Sequence, residues 1–131
     1  MKITQDLLDE LTKLAKASPR LRMNYDLRNS DADKSQRMLN AIEPGSVIPI
    51  HRHQKSSETL VCLRGRLVEY FYNELGECTE SIEICPNGSV VALNIPKMQW
   101  HTLKVLESGT VIMEVKDGEY EPIVSEDILN L

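Results

Sequence analysis

Aromatic side chains are scarce in this chain: four Tyr, one Trp and one Phe make up 5% of its 131 residues. A core built without them must lean on Val, Ile and Leu. Cysteine is scarce too. Cys62, Cys78 and Cys85 form no CxxC pair, which excludes a disulfide framework and a zinc knuckle. Free thiols suit a reducing compartment, so a cytoplasmic location is expected. No apolar run approaches the length of a membrane-spanning helix, and the opening MKITQDLLDELTKLAK lacks the continuous apolar stretch of a signal peptide. A positive charge excess is also missing. The net charge of −5 leaves no electrostatic footprint for nucleic acid or an anionic membrane. Arg20, Arg22, Arg28, Arg37, Arg52, Arg64 and Arg66 do crowd the first half. They read as solvated surface charges, the alternative being a local basic patch for an anionic substrate.

What is present suits one domain with one core. Leu7, Leu8, Leu11, Leu14 and Ala15 fall at helical spacing and predict an amphipathic helix over 4–17. Thr4 is its expected N-cap, and Ser18-Pro19 ends it, because the residue before Pro avoids the α region. Residues 20–36 are polar and aperiodic and read as an extended, loop-like arm. The period then changes to about two. Strands are expected at 37–43, 47–51, 58–64, 66–73, 79–84, 89–94, 100–106 and 110–116, parted by Pro44-Gly45, Asn73 to Gly76, Pro86-Asn87-Gly88, Ser108-Gly109 and Asp117-Gly118. Many short strands at this spacing predict an all-β sandwich or barrel. The expected organisation is helix and arm over 1–36, packed on the barrel, a barrel over 37–118, and a tail over 119–131 that adds an edge segment or a short helical turn.

Histidine is as rare as cysteine, and its three copies carry the chemistry. His51 and His53 are two apart, which puts both imidazoles on one face of an extended segment. Glu58 follows a polar link that can turn the chain back to the same point. His101 comes from a distant strand. Three imidazoles and a carboxylate offer nitrogen and oxygen donors only, which suits one divalent transition metal ion such as Zn, Fe, Mn or Ni better than Ca or Mg.

The spacing Gly45-x5-His51-x-His53-x4-Glu58-x6-Gly65 resembles the first motif of the cupin superfamily at every fixed position. Gly45 and Gly65 stand where a chain must turn sharply. Pro96 and His101 keep the separation of the second cupin motif. Met98 stands in place of its Gly, Val105 in place of its Asn, and Gly88 lies two residues upstream of the usual place. QRMLNAIEPG at 36–45, Arg52 between the two His, LRGRL at 63–67, WHTL at 100–103 and ESGTVIMEVK at 107–116 are similar to the WbuC family of small cupin-fold metalloproteins. That resemblance implies a cupin jelly-roll barrel (a double-stranded β-helix) with an N-terminal helix and arm. It also implies a metal held by His51, His53, Glu58 and His101, and a bacterial protein linked to surface-polysaccharide gene clusters.

Four protein ligands leave one or two open positions on the ion, where a substrate oxygen pair can bind. A metal-dependent isomerase or epimerase, or an oxygenase, acting on a small sugar or acid is the first expectation. The alternative is a non-catalytic module binding a sugar or carboxylate. Arg64 at the rim, and Tyr70 and Tyr72 on a shared strand face, are candidate substrate contacts, or else an exposed charge and barrel filling. Trp100 should face away from His101, and Cys62 should be a core residue. A homodimer covering the sheet edges is a further expectation.

Overall fold

The computed structural model describes residues 1–130. Its elements are α1 (Gln5–Ala17), β1 (Arg22–Asp26), β2 (Arg37–Ile42), β3 (Glu58–Arg64), β4 (Leu67–Tyr72), β5 (Cys78–Ile84), β6 (Ala92–Ile95), β7 (Trp100–Val105) and β8 (Val111–Lys116), followed by a 3-10 turn at Ser125–Asp127. The strands form two antiparallel sheets, one ordered β1-β2-β8-β3-β6 and the other β5-β4-β7. No helix among the described residues is long and apolar enough to cross a membrane.

Helix α1 begins where expected. The Thr4 side chain accepts from Leu7 N at 3.2 Å, and Ser18 closes the last turn before Pro19. Leu8, Leu11 and Ala15 are buried against Leu39, Ala41 and Val111 on the outer face of the larger sheet. Burying each leucine there stabilises the fold by roughly 1.5–3 kcal/mol. The opposite face of that sheet, with Ile42, Leu60, Cys62 and Ile112, meets Leu67, Ile84, Leu103 and Val105 from the other sheets' strands to form the barrel core. Both faces of β2 and β8 are thus covered, which explains their near-continuous apolar runs.

The arm differs from the expectation. It carries β1, which pairs with β2 in register Arg22↔Ile42 to Asp26↔Met38. Its polar sequence hides the strand because β1 lies at a sheet edge, and Asn24, Tyr25 and Asp26 are exposed. The expected strand at 47–51 is an extended segment that joins a ladder only at its last residue, where His51 bridges both His101 and Ile128. The tail supplies both an edge contact and a helical turn. Gly45 and Gly65 hold φ of +94° and +88°. At Gly65 a Cβ would come within 2.1 Å of Thr110 Oγ1, so any larger residue meets both strain and a clash.

Side chains inside the barrel separate by height. On β3, Glu58 precedes Leu60 and Cys62. On β4, Leu67 precedes Glu69 and Phe71. On β7, His101 precedes Leu103 and Val105. On β8, Ile112 precedes Glu114 and Lys116. The antiparallel registers put Cys62, Ile112, Leu67 and Val105 at one end and Glu58, Lys116 and His101, with Phe71, at the other, while Glu114 faces Leu60 and Glu69 faces Leu103 in the layer between.

Candidate metal centre

The polar end gathers the three histidines. His51 and His101 are directly paired by reciprocal backbone hydrogen bonds of 3.0 and 2.9 Å, so their rings share the inner face, with centroids 4.3 Å apart. His53 follows one bend later, its carbonyl accepting from Met98 N at 2.8 Å. Met98 holds a positive φ of 70°, a conformation natural to the glycine it stands in for. The ligand-bearing ring atoms of His51, His53 and His101 lie within 4.8 Å of one another, so this triad can hold a metal ion. Glu58 lies against two of the three, with Oε1 3.2 Å from His101 Nε2 and Oε2 3.9 Å from His53 Nε2.

The hydrogen bonding fits such an ion. His51 Nδ1 lies 2.9 Å from the Pro49 carbonyl, and His101 Nδ1 2.8 Å from that of Gln99. A proton on each Nδ1 satisfies those carbonyls and leaves the Nε2 lone pairs pointing inward, the arrangement found behind metal-bound imidazoles. His53 Nε2 and His101 Nε2 are buried and make no hydrogen bond. Buried nitrogens aimed at a common point without partners are costly unless something binds them. Burial, followed by neighbouring positive charge, lowers His51 and His53 to about 4. Burial alone would raise the Glu58 carboxyl, but His101, then Lys116 and His53, outweigh it and hold the group low. At neutral pH, His51 and His53 are neutral donors and Glu58 is an anion.

The segment between the ligands is clamped from outside. Arg52 alternates away from the two imidazoles. Its Nε donates to Asp127 Oδ1 at 3.0 Å, and its guanidinium stacks 4.5 Å from the Trp100 ring. Gln54 Nε2 donates to the same Asp127 oxygen at 2.7 Å. Arg52 N donates to Asp127 O at 3.1 Å, and Leu129 N to Ile50 O at 2.8 Å. Trp100 thus faces away from the site, as its parity predicts.

Three residues expected near a substrate lie elsewhere. Tyr70 and Tyr72 pair with Thr102 and Trp100, whereas Phe71 pairs with His101. Alternation therefore puts both tyrosines on the outer face of the sheet. Arg64 is bound at the opposite end, to Asp9 at 2.7 Å, Thr12 at 3.0 Å and the Gly109 carbonyl at 2.8 Å, where it ties α1 to the barrel. Of the other arginines, Arg28 pairs with Asp26, Arg37 with Asp33, and Arg66 with Glu83 and Glu107, while Arg22 donates to the Val47 carbonyl.

Two carboxyls beneath the polar end and an ammonium within it escaped the sequence reading. Glu69 is fully buried, and neither of its oxygens has a partner. Burial, then the charges of Glu58 and Glu114, pushes it up to about 9. Glu114 is pushed up to about 7, by burial first and Glu58 second. Lys116 sits directly across from Glu58 on β8, with Nζ 3.7 Å from Oε2. Parity with Leu67 was the signal for Glu69, and parity with Ile112 that for Glu114 and Lys116. A cavity of about 660 Å³ opens beside them, between the 52–56 loop and residues 118–127. His53 and Lys116 line its inner side.

The family described as a domain of unknown function, DUF6016, matches residues 3–84. A comparison with curated proteins finds no match. Among solved structures, the chain is similar to KdgF from Halomonas sp., with 13% identity over 79% of this chain and 84% of that one, TM-score 0.63. It is similar to CapF, a capsular polysaccharide assembling protein of Staphylococcus aureus, with 20% identity over 80% of this chain and 30% of that one, TM-score 0.63. It is also similar to Bacillus subtilis oxalate decarboxylase, a protein with Mn(II) centres, with 17% identity over 77% of this chain and 26% of that one, TM-score 0.59. The chain therefore spans most of KdgF and under a third of the other two. At these identities the likeness shows the fold, and that fold is the cupin jelly roll.

Proposed function

We propose a metal-dependent function for this chain, which belongs to the DUF6016 domain family. In this reading His51, His53, His101 and Glu58 hold one divalent transition metal ion. The protein is then a metal-dependent enzyme of the isomerase/epimerase or oxygenase type, acting on a small sugar or acid in bacterial surface-polysaccharide metabolism. The observation that carries the metal is the set of inward-facing imidazole nitrogens, two of them buried with no hydrogen-bond partner. Bound there, the ion would supply Lewis-acid polarisation of a ligand oxygen. The protein's own part is to present neutral imidazoles in a fixed tautomer, to hold Glu58 ionised, and to leave the site open to solvent on the His53 side, where the cavity lies.

The polysaccharide setting rests on the likeness to the WbuC family and on the fold shared with CapF. A cytoplasmic location and a homodimer belong to the same reading, the second supported by the exposed edge strand β5. The manganese of oxalate decarboxylase makes Mn a candidate beside Zn, Fe and Ni.

Elemental analysis of the full chain, purified anaerobically and without a histidine tag, tests the reading. One equivalent of a transition metal is expected, falling at least tenfold in His101→Ala. A native protein free of stoichiometric metal would sink it. With metal in place, turnover of a sugar or acid that is lost in His101→Ala marks an enzyme, and saturable binding without turnover marks the non-catalytic alternative.

A further inference from the structure

We infer that the cavity beside the metal site takes a small carboxylic acid, anchored by Lys116, rather than a neutral sugar. The inference rests on the metal reading above and narrows its ligand.

Lys116 ends β8 on the inner face, opposite Glu58, with its side chain only 14% exposed. An ammonium so far out of water needs hydrogen-bond acceptors. Its nearest charged group is Glu58 Oε2 at 3.7 Å, too long for a good hydrogen bond. The other cations lining the cavity are committed to its wall: Arg52 to Asp127 at 3.0 Å and Lys55 to Glu121 at 3.2 Å. Among the described residues lining the cavity, Lys116 is the cation left to meet a ligand.

It stands beside an open donor. Lys116 Nζ and His53 Nε2 lie 3.7 and 3.9 Å from the same Glu58 oxygen, so at most 7.6 Å separates them. Both line the inner side of the cavity. A volume of about 660 Å³ lies within the range of small-molecule sites, roughly 300–1,000 Å³. A divalent ion and the Lys116 ammonium would leave a local positive surplus over the single Glu58 carboxylate beside them. On the cavity wall, Asp127, Glu121 and Glu119 are paired with Arg52, Lys55 and Lys34, which leaves Glu126 as the carboxylate there without an ion pair among the described residues. An anion neutralises that surplus in a partly enclosed space, where Coulomb attraction is strong. A carboxylate with a neighbouring hydroxyl or carbonyl oxygen meets both demands: oxygen donors toward the histidine set and an acceptor for the ammonium. A sugar acid or a short hydroxy acid belongs to this class, whereas a neutral sugar offers the ammonium hydroxyl acceptors but no countercharge, and charge-assisted hydrogen bonds are about twice as strong as neutral ones.

The experiment titrates Mn(II)-loaded full-length protein with glycerate, gluconate and glucuronate. Each acid is run against its neutral counterpart, glycerol, sorbitol and glucose, with calorimetry and the Mn(II) spin-resonance signal as readouts. At least one acid should bind tenfold or more tighter than its counterpart. Lys116→Met should keep one Mn per chain and lose that preference, and Lys116→Arg should regain part of it. Wild-type protein that holds Mn and binds no acid above its counterpart would overturn the inference, whatever the variants do. An undiminished preference in Mn-loaded Lys116→Met would do the same. Wild-type protein that takes up none of Mn, Fe, Zn or Ni defeats the metal reading itself, and this one with it; where it holds one of the others and not Mn, the same titration is run on that form by calorimetry.

Discussion

Glu69 is a carboxyl in a place that water does not reach. It alternates with Leu67 and Phe71 on β4, so its side chain must point into the barrel whatever its chemistry. Its cross-strand partner is Leu103, and His101 is the diagonal neighbour two residues before. Such diagonal pairs lie roughly 7 Å apart, one layer away from the metal set. Its raised folded-state value fixes a sign. Below its unfolded value of 4.5 the group is protonated in both states and costs nothing. As pH rises from there toward about 9, the unfolded chain ionises and the folded chain does not, so stability falls. Glu69→Gln removes that loss. In metal-free protein, denaturant unfolding between pH 5 and 8 should show the variant gaining on the wild type by roughly 1 kcal/mol per pH unit. A gap that does not change with pH would mean that Glu69 is ionised and paired in the fold.

At the scale of elements, the metal-binding segment at 51–53 is less a strand than a strip held from two sides. One side is β7, through the His51–His101 pair; the other is the tail, through Ile128 and Asp127. Asp127 joins Arg52 and Gln54 at a single oxygen, and Arg52 in turn rests on Trp100. Removing that oxygen frees the backbone that aims two imidazoles without touching either ring. Outer supports of this kind typically change metal affinity 10–100-fold. Asp127→Ala should therefore weaken metal binding by about that factor in a chelator competition, with the metal count at saturation unchanged. Affinity equal to that of the wild type would show that the β7 pairing alone aims the histidines. The helix, its caps, seven of the eight strands and the spacing of His51, His53 and Glu58 could be read from the sequence, because each is set by local periodicity or by a turn. The clamp could not, since Arg52 and Asp127 are far apart in the chain and a lone Asp in a polar tail carries no pattern. Strand β1 was hidden for a related reason: an edge strand with solvent on one side needs no apolar alternation. Tyr70 and Tyr72 were correctly read as sharing a face, but only the pairing of Phe71 with His101 shows which face it is.

At the scale of the whole molecule, the two ends of the barrel are held by different forces. The far end is closed by Leu60, Leu67, Ile84, Leu103, Val105 and Ile112, and by α1 laid across the larger sheet. The near end contains Glu58, Lys116 and the histidines, with Glu69 and Glu114 in the layer beneath, across from Leu103 and Leu60, and these groups repel or strand one another when nothing binds them. Glu58 belongs to the larger sheet, His101 to the smaller, and His51 and His53 to the strip beside it. An ion at this point therefore ties both sheets together where the apolar core does not reach. Metal that binds only the folded chain stabilises it by about 2.7 kcal/mol at a hundredfold excess over Kd. For a chain of this length that corresponds to a rise of about 10 °C in Tm. The gain should be uneven along the barrel. Hydrogen exchange should slow on metal addition at 51–53, at 58–60 and at 100–102, and stay nearly constant at 62–64 and 103–105, whose protection comes from the apolar end. His101→Ala should abolish both the Tm shift and the local slowing. A uniform slowing of exchange along all strands would instead mean that the barrel opens as one unit, with the ion stabilising it globally rather than stapling its polar end.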